Sequence, residues 1–158
     1  YGGLMSFRIL PLPAADADRL RRDATIVRLA DESPGFPCRA CLCDAAIGDE
    51  LVLVSYDPFA GWDAATTSPY HSAGPVFVHR RDCSAEIDTA AVPDQLERRR
   101  PPVRAYDAAA MMLDGRVVDG AELSTALEQL SILPGVDRIH VHNAGAGCFA
   151  AAVDLVTA

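Results

Sequence analysis

The chain contains no lysine, so all fourteen of its basic side chains are arginines. Against them stand 22 Asp and Glu residues, which give a formal net charge of −8 and a pI near 4.8. Binding to a nucleic-acid backbone needs a concentrated basic surface. The one basic cluster, Arg98 to Arg100 with Arg104, is interpreted as the solvated end of a helix. The composition therefore excludes nucleic acid as a partner and favours a small molecule or another protein.

Long apolar runs are lacking as well. No stretch approaches the ~20 residues that a membrane-spanning helix requires, and no signal peptide is visible. We therefore expect a soluble, cytoplasmic protein without a membrane partner. Residues 1–4 precede Met5 and are interpreted as a remnant of an expression vector. Residues 5–158 have the length of one domain that can bury a core without disulfides or metals.

The elements along the chain predict an α+β fold with a mostly antiparallel sheet. Strand-like runs occur at residues 6–10, 24–29, 50–56, 76–79 and 103–106, and a short helix is expected from Ala14 to Arg22. The dipeptide Asp114-Gly115 between apolar runs predicts a tight hairpin turn.

One main helix is predicted at about residues 120–132, packed on the sheet. Asp119 and Glu122 have the spacing of a capping box, and four apolar residues follow at helical spacing, Leu123, Ala126, Leu127 and Leu130. Residues 138–156 then predict a C-terminal β-hairpin around a glycine-containing loop.

Three of the five cysteines lie within residues 38–43, directly before the strand at 50–56. Because an odd number of cysteines in a cytoplasmic protein disfavours disulfides, we expect reduced thiols, metal ligands or buried structural cysteines. Cys38 and Cys41 have the Cys-x2-Cys spacing of a zinc knuckle, and His79 with Cys83 forms a second local pair. These four residues are the first candidate metal site, with zinc as the expected ion. Cys43 is expected to be a small core residue.

The same cysteines allow other interpretations. Cys38 and Cys41 could be buried thiols without a metal, since the 37 residues between Cys41 and the next ligand place no constraint on their distance. A redox Cys-x-x-Cys normally begins a helix whose N-terminus lowers the thiol pKa. Here Asp44, Asp49 and Glu50 follow, and negative charge raises a thiol pKa, which argues against redox catalysis.

His140 and His142 are the second candidate site, with Cys148 beyond the next turn. In a strand the two histidines share one face, while Ile139 and Val141 occupy the other. They could ligate a metal or act as a general base, but no third ligand or nucleophile is fixed. The alternative is a solvent-facing side of the strand beside a glycine-rich loop.

Short motifs across residues 36–150 carry a family resemblance: Pro37-Cys38-Arg39-x-Cys41-Leu42, Gly48-x-Glu50-x-x-Leu53, Tyr56-x-Pro58-Phe59, Ser68-Pro69-Tyr70, Gly74-Pro75-x-Phe77-Val78 and Ile139-His140-Val141-His142 with Gly147-Cys148-Phe149. With these motifs the chain resembles the bacterial family called domain of unknown function 1203. The resemblance implies a small single-domain bacterial protein. It implies no activity, cofactor or catalytic residue.

Three functional hypotheses remain, and whether the protein is an enzyme stays open. The first is a domain that binds a small ligand or a metal near Cys38, Cys41 and the loop between residues 56 and 79. The second is a metal-dependent or thiol enzyme that uses Cys38, Cys41, His79 and Cys83. The third is a homo-oligomeric interaction module whose contact surface is an aromatic loop containing Phe59, Trp62 and Tyr70.

Overall fold

The computed structural model describes residues 5–83 and 87–157, so the expected vector remnant at residues 1–4 lies outside the described residues. The strands are β1 (Met5–Leu10), β2 (Val27–Leu29), β3 (Glu50–Tyr56), β4 (Gly74–His79), β5 (Pro102–Asp107), β6 (Met112–Val117), β7 (Val136–His142) and β8 (Phe149–Thr157). The α-helices are α1 (Ala14–Asp23), α2 (Asp94–Glu97) and α3 (Leu123–Ser131). Short 3-10 helices occupy Asp63–Thr67 and Gly120–Glu122.

These strands form two antiparallel sheets. The large sheet has the strand order β1-β8-β7-β5-β6, and the small sheet has the order β2-β3-β4. The chain is therefore an α+β domain with mostly antiparallel pairing, as predicted. The expected C-terminal hairpin is present as β7 and β8, in which Ile139 pairs with Val153. In the described parts of the chain, no helix is long and apolar enough to cross a bilayer.

The two faces of the large sheet are buried by different elements. On one face, Ile139 and Val141 of β7 pack in a core cluster with three leucines of α3, Leu123, Leu127 and Leu130. Each of these leucines is fully buried, and burying such a side chain contributes about 2 kcal/mol. On the other face, Phe149 packs in a cluster with apolar residues of the small sheet and α1, Val52, Val76, Val78 and Leu20. The small sheet thus covers the second face.

The local sequence pattern predicted the positions of α1 and β3 closely. β3 has the predicted bounds, and α1 follows Pro13 and ends at Asp23, one residue beyond the predicted helix. The strand predicted at residues 24–29 is shorter, because only Val27–Leu29 pairs with β3.

The predicted turn at Asp114-Gly115 is wrong. Both residues lie inside β6, where Asp114 pairs with Ala105 of β5. The hairpin turns earlier, because the Asp107 carboxylate accepts hydrogen bonds from the backbone N–H groups of Ala109 and Met111, each at 2.9 Å. This local side-chain bonding stabilises a turn and extends β6 through the Asp-Gly pair.

The main helix occupies the predicted region, but its start differs. Residues 120–122 form a 3-10 turn, and α3 begins at Leu123 without a side-chain cap. The Asp119 carboxylate bonds Arg100 at 2.9 Å instead of capping the helix. Gly120 packs directly on α2, since a Cβ atom at this position would lie 2.2 Å from the carbonyl oxygens of Leu96 and Glu97.

Replacing Gly120 with alanine is therefore expected to destabilise the fold by about 3 kcal/mol, because the added methyl group must push backbone apart. Urea unfolding measures this free energy. Gly74→Ala is the matched control, since a Cβ there meets no heavy atom within 4 Å, and its effect should stay within about 0.5 kcal/mol. Equal effects of the two substitutions would contradict the close approach at Gly120.

Candidate metal centre

Cys38 and Cys41 lie in a tight turn, residues 37–44, which we call the cysteine turn. The Cys38 N–H donates to the Cys43 carbonyl at 3.0 Å, and Pro37 and Asp44 form a bridge that closes the turn. Leu42 has a φ of 56°, in the left-handed region that leucine rarely adopts. Such backbone persists only where the surroundings hold it, often at ligand sites. The turn is thus a rigid support for two thiols.

The cysteine turn docks on the small sheet, which supplies the second ligand pair. The Arg39 N–H donates to the Phe77 carbonyl of β4 at 3.0 Å, and Cys38 forms a parallel bridge with Phe77. His79 ends β4 opposite Leu51, and Cys83 follows four residues later. The two pairs, distant in sequence, therefore meet at one end of the small sheet.

The four side chains converge to the dimensions of a metal site. One ligand atom from each of Cys38, Cys41, His79 and Cys83 lies within 4.8 Å of all the others. The Cys38 and Cys83 sulfurs are 3.7 Å apart, and the Cys41 sulfur is 3.5 Å from His79 Nδ1. A tetrahedral zinc ion with Zn–S near 2.3 Å and Zn–N near 2.0 Å would separate two sulfurs by ~3.8 Å and sulfur from nitrogen by ~3.5 Å. The cluster could therefore hold a metal.

Hydrogen bonds around the cluster orient its members. His79 Nε2 lies 3.0 Å from the Asp49 carboxylate, which leaves Nδ1 directed at the thiols. A carboxylate on the far nitrogen of a ligating histidine fixes the ring and its tautomer. The Arg21 guanidinium of α1 donates to the Cys83 sulfur at 3.2 Å and to the His79 carbonyl at 2.8 Å. The His79 N–H donates to the Cys38 sulfur at 3.2 Å.

The pKa values of two thiols in the cluster shift in opposite directions. Hydrogen bonds from Cys41 and Cys83 lower the pKa of Cys38, and the bond with Cys38 raises the pKa of Cys41. Hydrogen bonds to Cys38 and Cys83 raise the pKa of His79 to about 10. The cluster therefore stabilises a buried thiolate next to positive charge. A bound cation would stabilise the same thiolate in the same way.

Cys43 does not belong to the cluster. We expected a core residue, and this is wrong: its side chain is exposed, and its sulfur donates to the Cys41 carbonyl at 3.5 Å. All five cysteines are free thiols.

The second candidate site has a different environment from the expected one. His140 and His142 share one face of β7 as predicted, but that face is buried against the small sheet and aromatic rings, with exposures of 2% and 4%. The solvent-facing alternative is therefore wrong. Among the described residues, Cys38, Cys41, His79 and Cys83 are the one metal-ligand cluster found, and His140, His142 and Cys148 do not form another.

The aromatic loop packs on the large sheet. Phe59 and Trp62 are 2% and 7% exposed and form a cluster with Tyr106 of β5, while Tyr70 is 39% exposed. Two of the three aromatic rings proposed for an interaction surface are thus covered within the chain. A cavity of about 810 Å³ is lined by α1, β3 and part of this loop and includes none of the four candidate ligands.

Sequence reasoning missed Asp49 and Arg21, which hydrogen-bond to His79 and Cys83 of the cluster. In the sequence, Asp49 is one residue of the turn before β3. There it indicates only negative charge near the thiols, which raises a thiol pKa. Arg21 had no signal, because a helical arginine 62 residues from Cys83 looks like any surface charge. Both contact the cluster only through tertiary packing.

The buried histidines predict a loss of stability in acid. Burial lowers the pKa of His140 to about 3 and that of His142 to about 4, against about 6.5 in the unfolded chain. Between these values the unfolded chain binds more protons, so stability present above pH 6.5 is lost as the pH falls towards 4 and 3. The loss should reach a few kcal/mol, because each tenfold change in proton affinity corresponds to about 1.4 kcal/mol.

Urea unfolding at a series of pH values measures this dependence. His140→Phe removes one of the two groups in a pocket lined by Phe59, Tyr106 and Phe149. We expect this variant to show a clearly shallower loss of stability between pH 6.5 and 4. An unchanged slope would show that His140 is not the group that titrates.

Of three comparisons with known proteins, one found a match, and it agrees with the family resemblance of the sequence motifs. A search of the curated proteins and of the solved structures found no match to this chain. A family model described as "protein of unknown function (DUF1203)" matches residues 35–154, a segment that begins just before the cysteine turn and ends within β8. The chain belongs to this family of unknown function.

Proposed function

We propose that this chain is a zinc-binding domain in which Cys38, Cys41, His79 and Cys83 hold one zinc ion in a closed structural site. The observation that carries the proposal is the agreement of two distances, 3.7 Å between sulfurs and 3.5 Å between sulfur and Nδ1, with the edges of a zinc tetrahedron. Three thiolates and one imidazole favour zinc over magnesium and calcium, which are hard cations that prefer oxygen ligands.

Charge supports this assignment. Three thiolates around Zn²⁺ carry a net charge of −1, and a buried charge needs a partner. Arg21 supplies that partner at the Cys83 sulfur, and only 12% of its side chain is exposed. The Asp49 carboxylate accepts a hydrogen bond from the far ring nitrogen of His79, as carboxylates do behind ligating histidines.

The site is structural in this proposal because four protein ligands leave no open position for a substrate or water. Its role is to tie the cysteine turn to the segment from the end of β4 to Cys83, since each contributes two ligands. The metal-dependent enzyme hypothesis would need an open position, and the thiol hypothesis would need an accessible thiolate. Cys38 and Cys41 are 0% and 7% exposed. A cytoplasmic location, where thiols stay reduced, accords with the five free cysteines.

Metal content tests the proposal directly. Purified from cells without added chelator, the chain should contain about one zinc per molecule by elemental analysis, and Cys41→Ser should reduce this below about 0.2. Cys43→Ser is the matched control, two residues away and exposed, and should retain the metal. Absence of metal in the unmodified chain, or its loss in both variants, would overturn the assignment.

The Asp49 carboxylate should strengthen metal binding without ligating the ion. Asp49→Asn keeps an acceptor near His79 Nε2 but removes the charge, so zinc affinity should fall about 10- to 100-fold. Competition with a chromophoric chelator measures this affinity. Glu50→Gln is the control, because that neighbouring carboxylate pairs with Arg80 on the surface. Similar losses in both variants would indicate a general effect of charge.

A further inference from the structure

A second cavity lies beside the cysteine turn. It has a volume of about 360 Å³ and is bounded by the turn, the residues after α2 and the loop between β7 and β8. Its wall contains three arginines, Arg39, Arg99 and Arg100, and no Asp or Glu. On a chain with a net charge of −8, this concentration of positive charge marks a place suited to an anion.

Arg39 is the uncompensated charge in this cavity. It is 1% exposed, and its guanidinium donates to two backbone carbonyls, Phe149 O at 2.8 Å and Pro37 O. In the described chain no carboxylate forms an ion pair with it. By contrast, Arg99 pairs with Asp44 at 2.7 Å and Arg100 pairs with Asp119 at 2.9 Å. A buried cation without a counterion is costly. An anion bound in the cavity would supply the negative partner that Arg39 lacks.

Arg39 and Cys148 both line this cavity. A guanidinium has five N–H donors, and the two carbonyls occupy two of them. Cysteine sulfur is a weak acceptor, so Cys148 alone does not satisfy the guanidinium.

Asn143 is the second unsatisfied group. It lies directly after β7 in the cavity wall, is 9% exposed, and neither its Nδ2 nor its Oδ1 has a hydrogen-bond partner. Its backbone is fixed, because its N–H donates to the Cys148 carbonyl at 2.8 Å and its carbonyl accepts from Gly147 at 3.0 Å. Buried amides are nearly always paired, so a ligand that bonds the Asn143 amide would supply the partner that it lacks.

We propose that this cavity binds a small monocarboxylate, whose carboxylate pairs with Arg39 and whose second polar group, such as a hydroxyl, pairs with the Asn143 amide. A single uncompensated positive charge matches one negative charge. The flat guanidinium suits a carboxylate, and an amide offers both a donor and an acceptor to a neighbouring hydroxyl. Phe77 and Pro37 provide an apolar wall for the carbon skeleton. Neither polar contact involves a ligand of the proposed zinc ion.

The side-chain amides give a direct readout. The chain has one asparagine and two glutamines, Gln95 and Gln129, so a ¹⁵N spectrum contains three side-chain amide pairs, and Asn143→Ala identifies the one from Asn143. Sodium glycolate, a hydroxy-carboxylate, is titrated against the unmodified chain, with sodium phosphate and sodium chloride at the same ionic strength. We expect saturable shifts of the Asn143 amide with glycolate, at a Kd of about 1 mM or tighter.

Variants separate the two contacts. By calorimetry, Asn143→Ala should weaken glycolate binding about tenfold, since a hydrogen bond to a buried group is lost, and it should fold normally because the side chain bonds nothing. Arg39→Gln should abolish binding. If that variant fails to fold, Asn143→Ala decides. Arg98→Gln is the control, an exposed arginine outside the cavity wall, and should bind glycolate as the unmodified chain does.

Three results would overturn the proposal. The first is no shift of the Asn143 amide with glycolate up to tens of millimolar. The second is an equal response to phosphate or chloride, which would indicate a general anion trap. The third is unchanged affinity in Asn143→Ala, which would show that the amide does not contact the ligand.

Discussion

The docking of the cysteine turn on β4 is the contact on which both proposed sites depend. The Arg39 N–H reaches the Phe77 carbonyl at 3.0 Å, and the next strand residue but one, His79, donates its N–H to the Cys38 sulfur. Successive residues of the turn then point in opposite directions. Cys38 faces the thiol cluster, while the Arg39 side chain reaches the Phe149 carbonyl of β8 in the large sheet. A short turn thus joins both sheets.

Buried charge is treated differently on the two sides of this turn. In the thiol cluster, negative sulfur and positive groups meet directly, with Arg21 at Cys83 and Asp49 behind His79. In the cavity, the Arg39 guanidinium donates to two backbone carbonyls, and no carboxylate of the described residues pairs with it. Burial penalises any unpaired ion. For this reason we propose a cation in the thiol cluster and an anion in the cavity.

The sequence predicted those features that depend on neighbouring residues. Helix α1, strand β3 and the Cys-x2-Cys turn are local, so periodicity and spacing were sufficient. Strand pairing between distant residues was not predictable, and the small sheet therefore went unrecognised as a separate layer. That layer buries His140 and His142, and it brings His79 to the cysteines. The turn at Asp107, by contrast, was a local signal that the Asp-Gly prediction overlooked, since the Asp107 carboxylate accepts from the backbone of Ala109 and Met111.

The aromatic loop has a consequence for spectroscopy. Trp62 is the only tryptophan of the chain; its ring stacks on Phe59 at 6.1 Å and lies 4.0 Å from the Arg138 guanidinium. Its emission therefore reports on contact between this loop and β7 of the large sheet. The rings belong to a core cluster that contains none of the four thiol-cluster residues. Intrinsic fluorescence would follow the detachment of the loop, and opening of the thiol cluster would need a separate probe.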